Sequence, residues 1–188
     1  MKIIQKITNS TLNIIAGLGL IPCFLGLKLE KKIAAYLTIN NLKLSIAESC
    51  TGGLISSRMT DLSGSSDFIK ENFITYSDKA KEKYLNVSRI AIVEHGAVSE
   101  EVASEMSRGL INTTECDISL STTGIAGPTG ATPKKPIGLI YISVSNKDKT
   151  QTISFNANRF LSRRIIKYIF SQVALKFLLK FLKENYER

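Results

Sequence analysis

The chain has 188 residues, of which 44% are hydrophobic and 22% charged, enough apolar material to bury one ordinary core and too much for a disordered segment. Its three cysteines, Cys23, Cys50 and Cys116, form no CxxC pair, and His95 is the single histidine. These counts argue against a disulfide framework, a zinc site and Ser-His-Asp chemistry, and they point to a reducing, cytoplasmic compartment. The net charge of +9 favours anionic partners. The lysines are scattered, however, and lack the interleaved aromatics of a stacking platform, so nucleic acid is not the expected ligand.

Residues 1–28 read as an apolar extension. Lys2 and Lys6 precede an apolar stretch at 12–27 that carries Asn13, three glycines and Pro22. It is shorter than the roughly 20 residues needed to span a bilayer, and no small-x-small cleavage site follows it. A helix packing on the domain or on a second subunit is expected, which makes a homo-oligomer the expected assembly and a membrane an unexpected partner.

Residues 29–188 read as one domain. Ile33, Ala34 and Leu37 fall at helical spacing within 29–39, and residues 42–47 (LKLSIA) alternate as a strand. The Ser49-Cys50-Thr51-Gly52-Gly53 segment breaks that pattern before a helix at 54–62, and Ser63 to Ser66 form a turn. A second strand is predicted at 68–76, then helices at 78–84 and 89–94, with His95-Gly96 closing the latter. Ser99 followed by Glu100 and Glu101 has the signature of a helix start, and that helix is predicted to run to 111. A strand at 117–122 leads into a glycine-rich loop at 124–130. Two strands at 137–145 and 150–155 form a hairpin, and Ile166, Ile169, Val173, Phe177 and Phe181 mark a long amphipathic helix over 160–182. Early α/β crossovers and a late hairpin predict an α/β fold, a single-domain mixed sheet flanked by helices.

Ser49 lies where a strand hands over to a helix, a position that exposes a side chain at the end of a sheet. The same five residues also suit a plain helix cap. A nucleophilic serine needs a base, and with one histidine in the chain the alternatives are lysine, tyrosine or a carboxylate. Tyr76 and Lys81, at a strand end and one turn into the next helix, are candidates; each also reads as an ordinary strand aromatic and surface lysine. The loop from Thr123 to Pro128 has neither dinucleotide nor Walker spacing. Arg159, Arg163 and Arg164 form either a solvated basic patch or a phosphate contact.

Five blocks taken together go further: Ala47 to Gly53 (AESCTGG), Gly64-Ser65-Ser66, Phe73 to Ser77 with Ala80-Lys81, His95 to Ser99, and Thr123 to Pro128 (TGIAGP). In this order they resemble the CinA C-terminal family over about residues 30–182. The resemblance implies a stand-alone amidohydrolase of pyridine nucleotide salvage, converting nicotinamide mononucleotide to nicotinate mononucleotide and ammonia without metal or cofactor. It implies Ser49 as the acylated nucleophile with Tyr76 and Lys81 as its catalytic partners. Thr51, Gly52, Gly53, Thr123, Gly124 and Arg159 are the implied substrate contacts. In the mechanism so implied, Lys81, desolvated and poised among other cations, is neutral and takes the Ser49 proton directly or through Tyr76, while the Thr51 to Gly53 amides hold the oxyanion. The family's Gly-Asp-Arg before the last helix is replaced by Ala157-Asn158-Arg159. The competing expectation is a non-catalytic, competence-associated module that binds DNA.

Overall fold

The computed structural model describes residues 28–186, so the expected N-terminal extension lies outside the described residues. Helix α1 (Lys28–Ile39) buries Ile33 and Leu37, as their spacing predicts, and leads into strand β1 (Leu44–Glu48). Helix α2 (Leu54–Thr60) and a 3₁₀ turn (Ser65–Asp67) connect β1 to β2 (Ile69–Ile74). Three helices follow: α3 (Asp78–Leu85), α4 (Arg89–His95) and α5 (Glu100–Thr114). Strands β3 (Ile118–Gly124), β4 (Leu139–Ser145) and β5 (Thr150–Asn156) precede the long α6 (Arg163–Tyr186). Helix α5 begins where its sequence says it should: the Ser99 hydroxyl accepts from the Val102 amide. Gly96, at a φ of 77°, ends α4 after His95.

The five strands form one sheet in the order β2-β1-β3-β4-β5. β1 runs parallel to both β2 and β3, whereas β3-β4-β5 is an antiparallel meander. The mixed α/β architecture is therefore the predicted one. From β1 the chain crosses through α2 to β2 on one side, then through α3 to α5 to β3 on the other. Such a reversal leaves a crevice at the carboxyl ends of the central strands, the usual ligand position in open α/β sheets.

The two faces of the sheet are packed by different chemistry. Leu44, Ile46, Ile118, Leu120, Ile140, Ile142 and Val144 point into an apolar core filled by α1, α2 and α6, including Ile33, Leu37, Ile55, Met59, Phe170 and Phe181. The alternate residues Ser45, Ser119, Ser121, Ser143 and Ser145 face α5, and all are fully buried. Their hydroxyls need partners there. Ser121 Oγ donates to the Ala103 carbonyl at 2.6 Å and Ser119 Oγ to that of Ser107 at 2.8 Å. Ser107 Oγ in turn meets Ser143 and Ser145. Small side chains on this face let α5 lie close to the sheet. Helix α3 crosses α5 just as tightly, since a Cβ on Gly109 would stand 1.9 Å from the Leu85 carbonyl oxygen. That crossing fixes α3, and α3 carries Lys81.

Across the other face, Arg58 on α2 donates from Nε (2.8 Å) and Nη2 (2.5 Å) to Glu30 on α1, and from Nη1 to Ser171 Oγ on α6 at 2.6 Å. Its guanidinium also lies over the Tyr168 ring. One buried arginine thus ties three helices behind the Ser49 turn. Among the described residues no helix is long and apolar enough to cross a membrane.

Candidate active site

Where β1 ends, the Ser49 amide continues the sheet by donating to the Thr122 carbonyl at 3.0 Å. The chain then turns sharply, with the Gly52 amide donating back to the Ser49 carbonyl at 3.2 Å. Gly52 and Gly53 take φ values of 61° and 88°, in the left-handed region where only glycine is free of a Cβ clash. The buried Thr51 hydroxyl pairs with that of Thr122 at 2.9 Å, pinning the turn to β3. The glycine pair is therefore a requirement of this turn, whatever else it does for a ligand.

Glu48, quoted in the AESCTGG block but given no role from sequence, holds the next helix in place. Its fully buried carboxylate accepts from the Gly53, Ile55 and Ser56 amides and from the Ser56 hydroxyl, at 2.7 to 3.1 Å. A carboxylate at a helix N-terminus satisfies the orphan donors and the macrodipole together. An acid placed just ahead of a helix start was the sequence signal for this role. The arrangement also corrects the expected oxyanion site. The Gly53 amide is occupied by Glu48 and the Gly52 amide by Ser49, so of the Thr51 to Gly53 trio only the Thr51 amide is unbonded. The Cys50 amide beside it has its own sulfur as partner.

Lys81 enters from the opposite side. Ser77 caps α3 by accepting from the Ala80 amide, and one turn later the Lys81 side chain runs inward, 1% exposed, to reach Ser49. Its Nζ lies 3.3 Å from Ser49 Oγ and donates to the Thr75 carbonyl at 2.9 Å. Burial lowers the amine below the ordinary lysine value of 10.5, against opposing pulls from Asp78 and Cys50. Of the two causes expected from sequence, desolvation is the one that acts, and no neighbouring cation contributes. The Thr75 carbonyl holds one proton of the amine and leaves Nζ facing the Ser49 hydroxyl. Cys50, next in the chain, is no competitor: burial raises its thiol to about 12, so the thiolate is scarcely populated.

The structure joins Ser49 and Lys81 directly and places the other expected site residues around them in different ways. Tyr76 is 62% exposed, and its hydroxyl accepts from Arg163 Nη2 at 2.9 Å, with no bond to Ser49 or Lys81. Arg163 Nη1 reaches the Gly127 carbonyl at 2.6 Å, so this arginine links the end of β2 to the GIAGP loop. Thr123 Oγ1 donates to the Ala97 carbonyl at 2.6 Å, holding the segment after α4. A Cβ on Gly124 would meet the Leu139 carbonyl oxygen at 2.6 Å and Cys50 Sγ at 3.1 Å, which assigns Gly124 to close packing of β3 on β4. The exposed Arg159 lies over the Phe160 ring. Behind the Ser49 turn, Gly52, Gly53, Leu54, Ser57, Arg164 and Lys167 line an open cleft of about 340 Å³, large enough for a small ligand. Among the described residues no group of three or more His, Cys, Asp or Glu side chains is placed to hold a metal.

The family model for the CinA C-terminal domain matches residues 27–182. A CinA-like protein of Chlorobaculum tepidum is 45% identical over 159 residues, covering 83% of this chain and 38% of that protein. A CinA-like protein of Syntrophus aciditrophicus is 45% identical over 154 residues, 82% of this chain and 36% of its own length. The chain thus spans well under half the length of these curated relatives. Among solved structures, the competence/damage inducible protein of Agrobacterium tumefaciens superposes with a TM-score of 0.79 at 31% identity, covering 82% of this chain and 93% of that one. A CinA superfamily protein of Klebsiella pneumoniae gives 0.80 at 26% identity, covering 84% and 98%. The chain belongs to the CinA C-terminal domain family.

Proposed function

We propose that this chain is a cytoplasmic serine amidohydrolase that converts nicotinamide mononucleotide to nicotinate mononucleotide and ammonia. The observation that carries the reading is the Ser49–Lys81 pair: a hydroxyl just past the end of β1, 3.3 Å from a buried amine whose proton affinity is lowered by desolvation. A structural lysine seldom buries its ammonium without a carboxylate partner, and here the polar partners are a hydroxyl and a carbonyl.

Neutral Lys81 takes the Ser49 proton as Oγ attacks the carboxamide carbon. The tetrahedral oxyanion falls to the unbonded Thr51 amide, with the Cys50 amide beside it turning from its own sulfur to the stronger acceptor. The Lys81 ammonium then gives its proton to the amide nitrogen, the C–N bond breaks, and ammonia leaves a nicotinoyl ester on Ser49. Water, deprotonated by Lys81, attacks that ester; Ser49 recovers its proton and nicotinate mononucleotide departs. Tyr76 and Arg163 frame the entrance and orient the ring end of the substrate, the tyrosine as a wall held by the arginine.

The test is ammonia and nicotinate mononucleotide release from the purified protein, with nicotinamide and glutamine as controls. Turnover at the wild-type rate by Ser49→Ala refutes the proposal. So does salt-sensitive DNA binding by a wild-type protein that releases no ammonia.

A further inference from the structure

The cleft behind the Ser49 turn carries charge that the chemistry above does not use. Arg164 and Lys167 are three residues apart on α6, which puts them side by side on one helix face. Neither makes a hydrogen bond or ion pair among the described residues, and no acidic side chain lines the cleft. Lys167 Nζ stands 3.2 Å from the position a Cβ on Gly52 would take, so the bare glycine backbone leaves room beside the ammonium. Ser57, exposed on the same wall, has a hydroxyl without a partner. Glu48, the carboxylate beneath this wall, is bonded to Gly53, Ile55 and Ser56 and makes no ion pair with either cation. Two adjacent unpaired cations repel, and a dianion between them reverses the sign of that interaction.

We propose that Arg164 and Lys167, with Ser57 as a neutral donor, form the subsite for the phosphate monoester of the substrate. The assignment rests on the amidohydrolase reading and moves the phosphate contact away from Arg159, which faces the Phe160 ring and does not line the cleft. The distance is suitable. Ser49 and Gly52 are the ends of one hydrogen-bonded turn, so their Cα atoms are less than about 7 Å apart. The cleft thus borders the Ser49 turn at Gly52 and Gly53, and a mononucleotide with its carboxamide at Ser49 reaches it by extending over that turn toward Lys167. The same geometry makes the cleft a specificity device: a nucleoside without phosphate leaves both charges uncompensated.

The experiment compares kcat/KM for nicotinamide mononucleotide with that for nicotinamide riboside, which bears the same carboxamide and no phosphate. Lys167→Ala is expected to lower the preference for the phosphorylated substrate about tenfold through KM, and Arg164→Ala/Lys167→Ala to lower it further, as charge-assisted contacts are lost. An unchanged preference overturns the proposal, as does a fall produced by Arg159→Ala in its place. Titration of inorganic phosphate into wild type and the double variant, followed by calorimetry, decides the subsite independently of turnover. If wild type releases no ammonia, the amidohydrolase reading fails by itself; phosphate binding lost in the double variant still supports the subsite, and equal binding by both proteins overturns it.

Discussion

Replacing Glu48 by glutamine tests whether the catalytic turn is held from below by a charge. The carboxylate accepts four hydrogen bonds, two on each oxygen: Gly53 and Ile55 amides on Oε2, the Ser56 amide and hydroxyl on Oε1. Glutamine offers one acceptor oxygen and one NH₂ group. With its oxygen toward Gly53 and Ile55, the NH₂ faces the Ser56 amide, donor against donor. Flipped, it faces two amides, and that of Ile55 is buried. At least one backbone donor is left unsatisfied and the remaining bonds lose their charge assistance, together about 2 to 4 kcal/mol. For a domain of this size that corresponds to a fall in Tm of roughly 4 to 16 °C. Activity falls too, by about 100-fold if the turn and its Cys50 and Thr51 amides shift by an ångström. Thermal melts and kcat/KM of Glu48→Gln read both effects. A variant melting within about 1 °C of wild type with full activity would show that the helix start is held by something other than this carboxylate.

Other consequences can be tested alongside it. The proposed mechanism uses Lys81 unprotonated, so kcat/KM should rise with pH through its lowered pKa, and Lys81→Met should cut kcat by roughly 10² to 10⁴. Between that lowered value and the ordinary 10.5, the unfolded chain holds the Lys81 proton and the folded one does not. Wild-type stability therefore gains with rising pH, by at most about 1.4 kcal/mol per unit, and Lys81→Met loses this gain; urea titrations across the range measure it. Glu30→Ala leaves the Arg58 guanidinium buried with Ser171 as its one remaining hydrogen-bond partner, a loss of about 3 to 5 kcal/mol by urea unfolding. Gly109→Ala drives a methyl into the Leu85 carbonyl and should lower both stability and kcat, because spreading α3 from α5 draws Lys81 away from Ser49. Cys50 should resist iodoacetamide in the folded protein at pH 8 and react once urea unfolds the chain, since both burial and a thiol pKa of about 12 withhold the thiolate.

What could be read from the sequence was what depends on neighbours along the chain. The alternation in LKLSIA, the Ser99 cap and the spacing of Ile166, Phe177 and Phe181 are local signals, and the strands and helices appear where those signals put them. The serines of β3 and β4 carry no such signal, since a run of ISLST reads equally as a half-exposed strand. Their burial against α5 follows from the closeness that Ser107 and the serines themselves permit, a property of two segments at once. Lys81 shows the same limit at the site. By composition a lysine on the first turn of a short polar helix belongs at the surface, and only the crossing of α3 over α5 drives it inward. Arg159, Arg163 and Arg164 show it again, because three cations within six residues look like one patch. The backbone at the start of α6 separates them, sending one onto a phenylalanine ring, one to Tyr76 and the GIAGP loop, and one to the open cleft. Residue type and order decide which groups can do chemistry here, whereas helix crossing angles decide which of them meet. Ser49 meets Lys81 through a packing contact between Leu85, four residues past the lysine, and Gly109, 60 residues past the serine, and for that reason the most informative variant for this site is one that touches neither Ser49 nor Lys81.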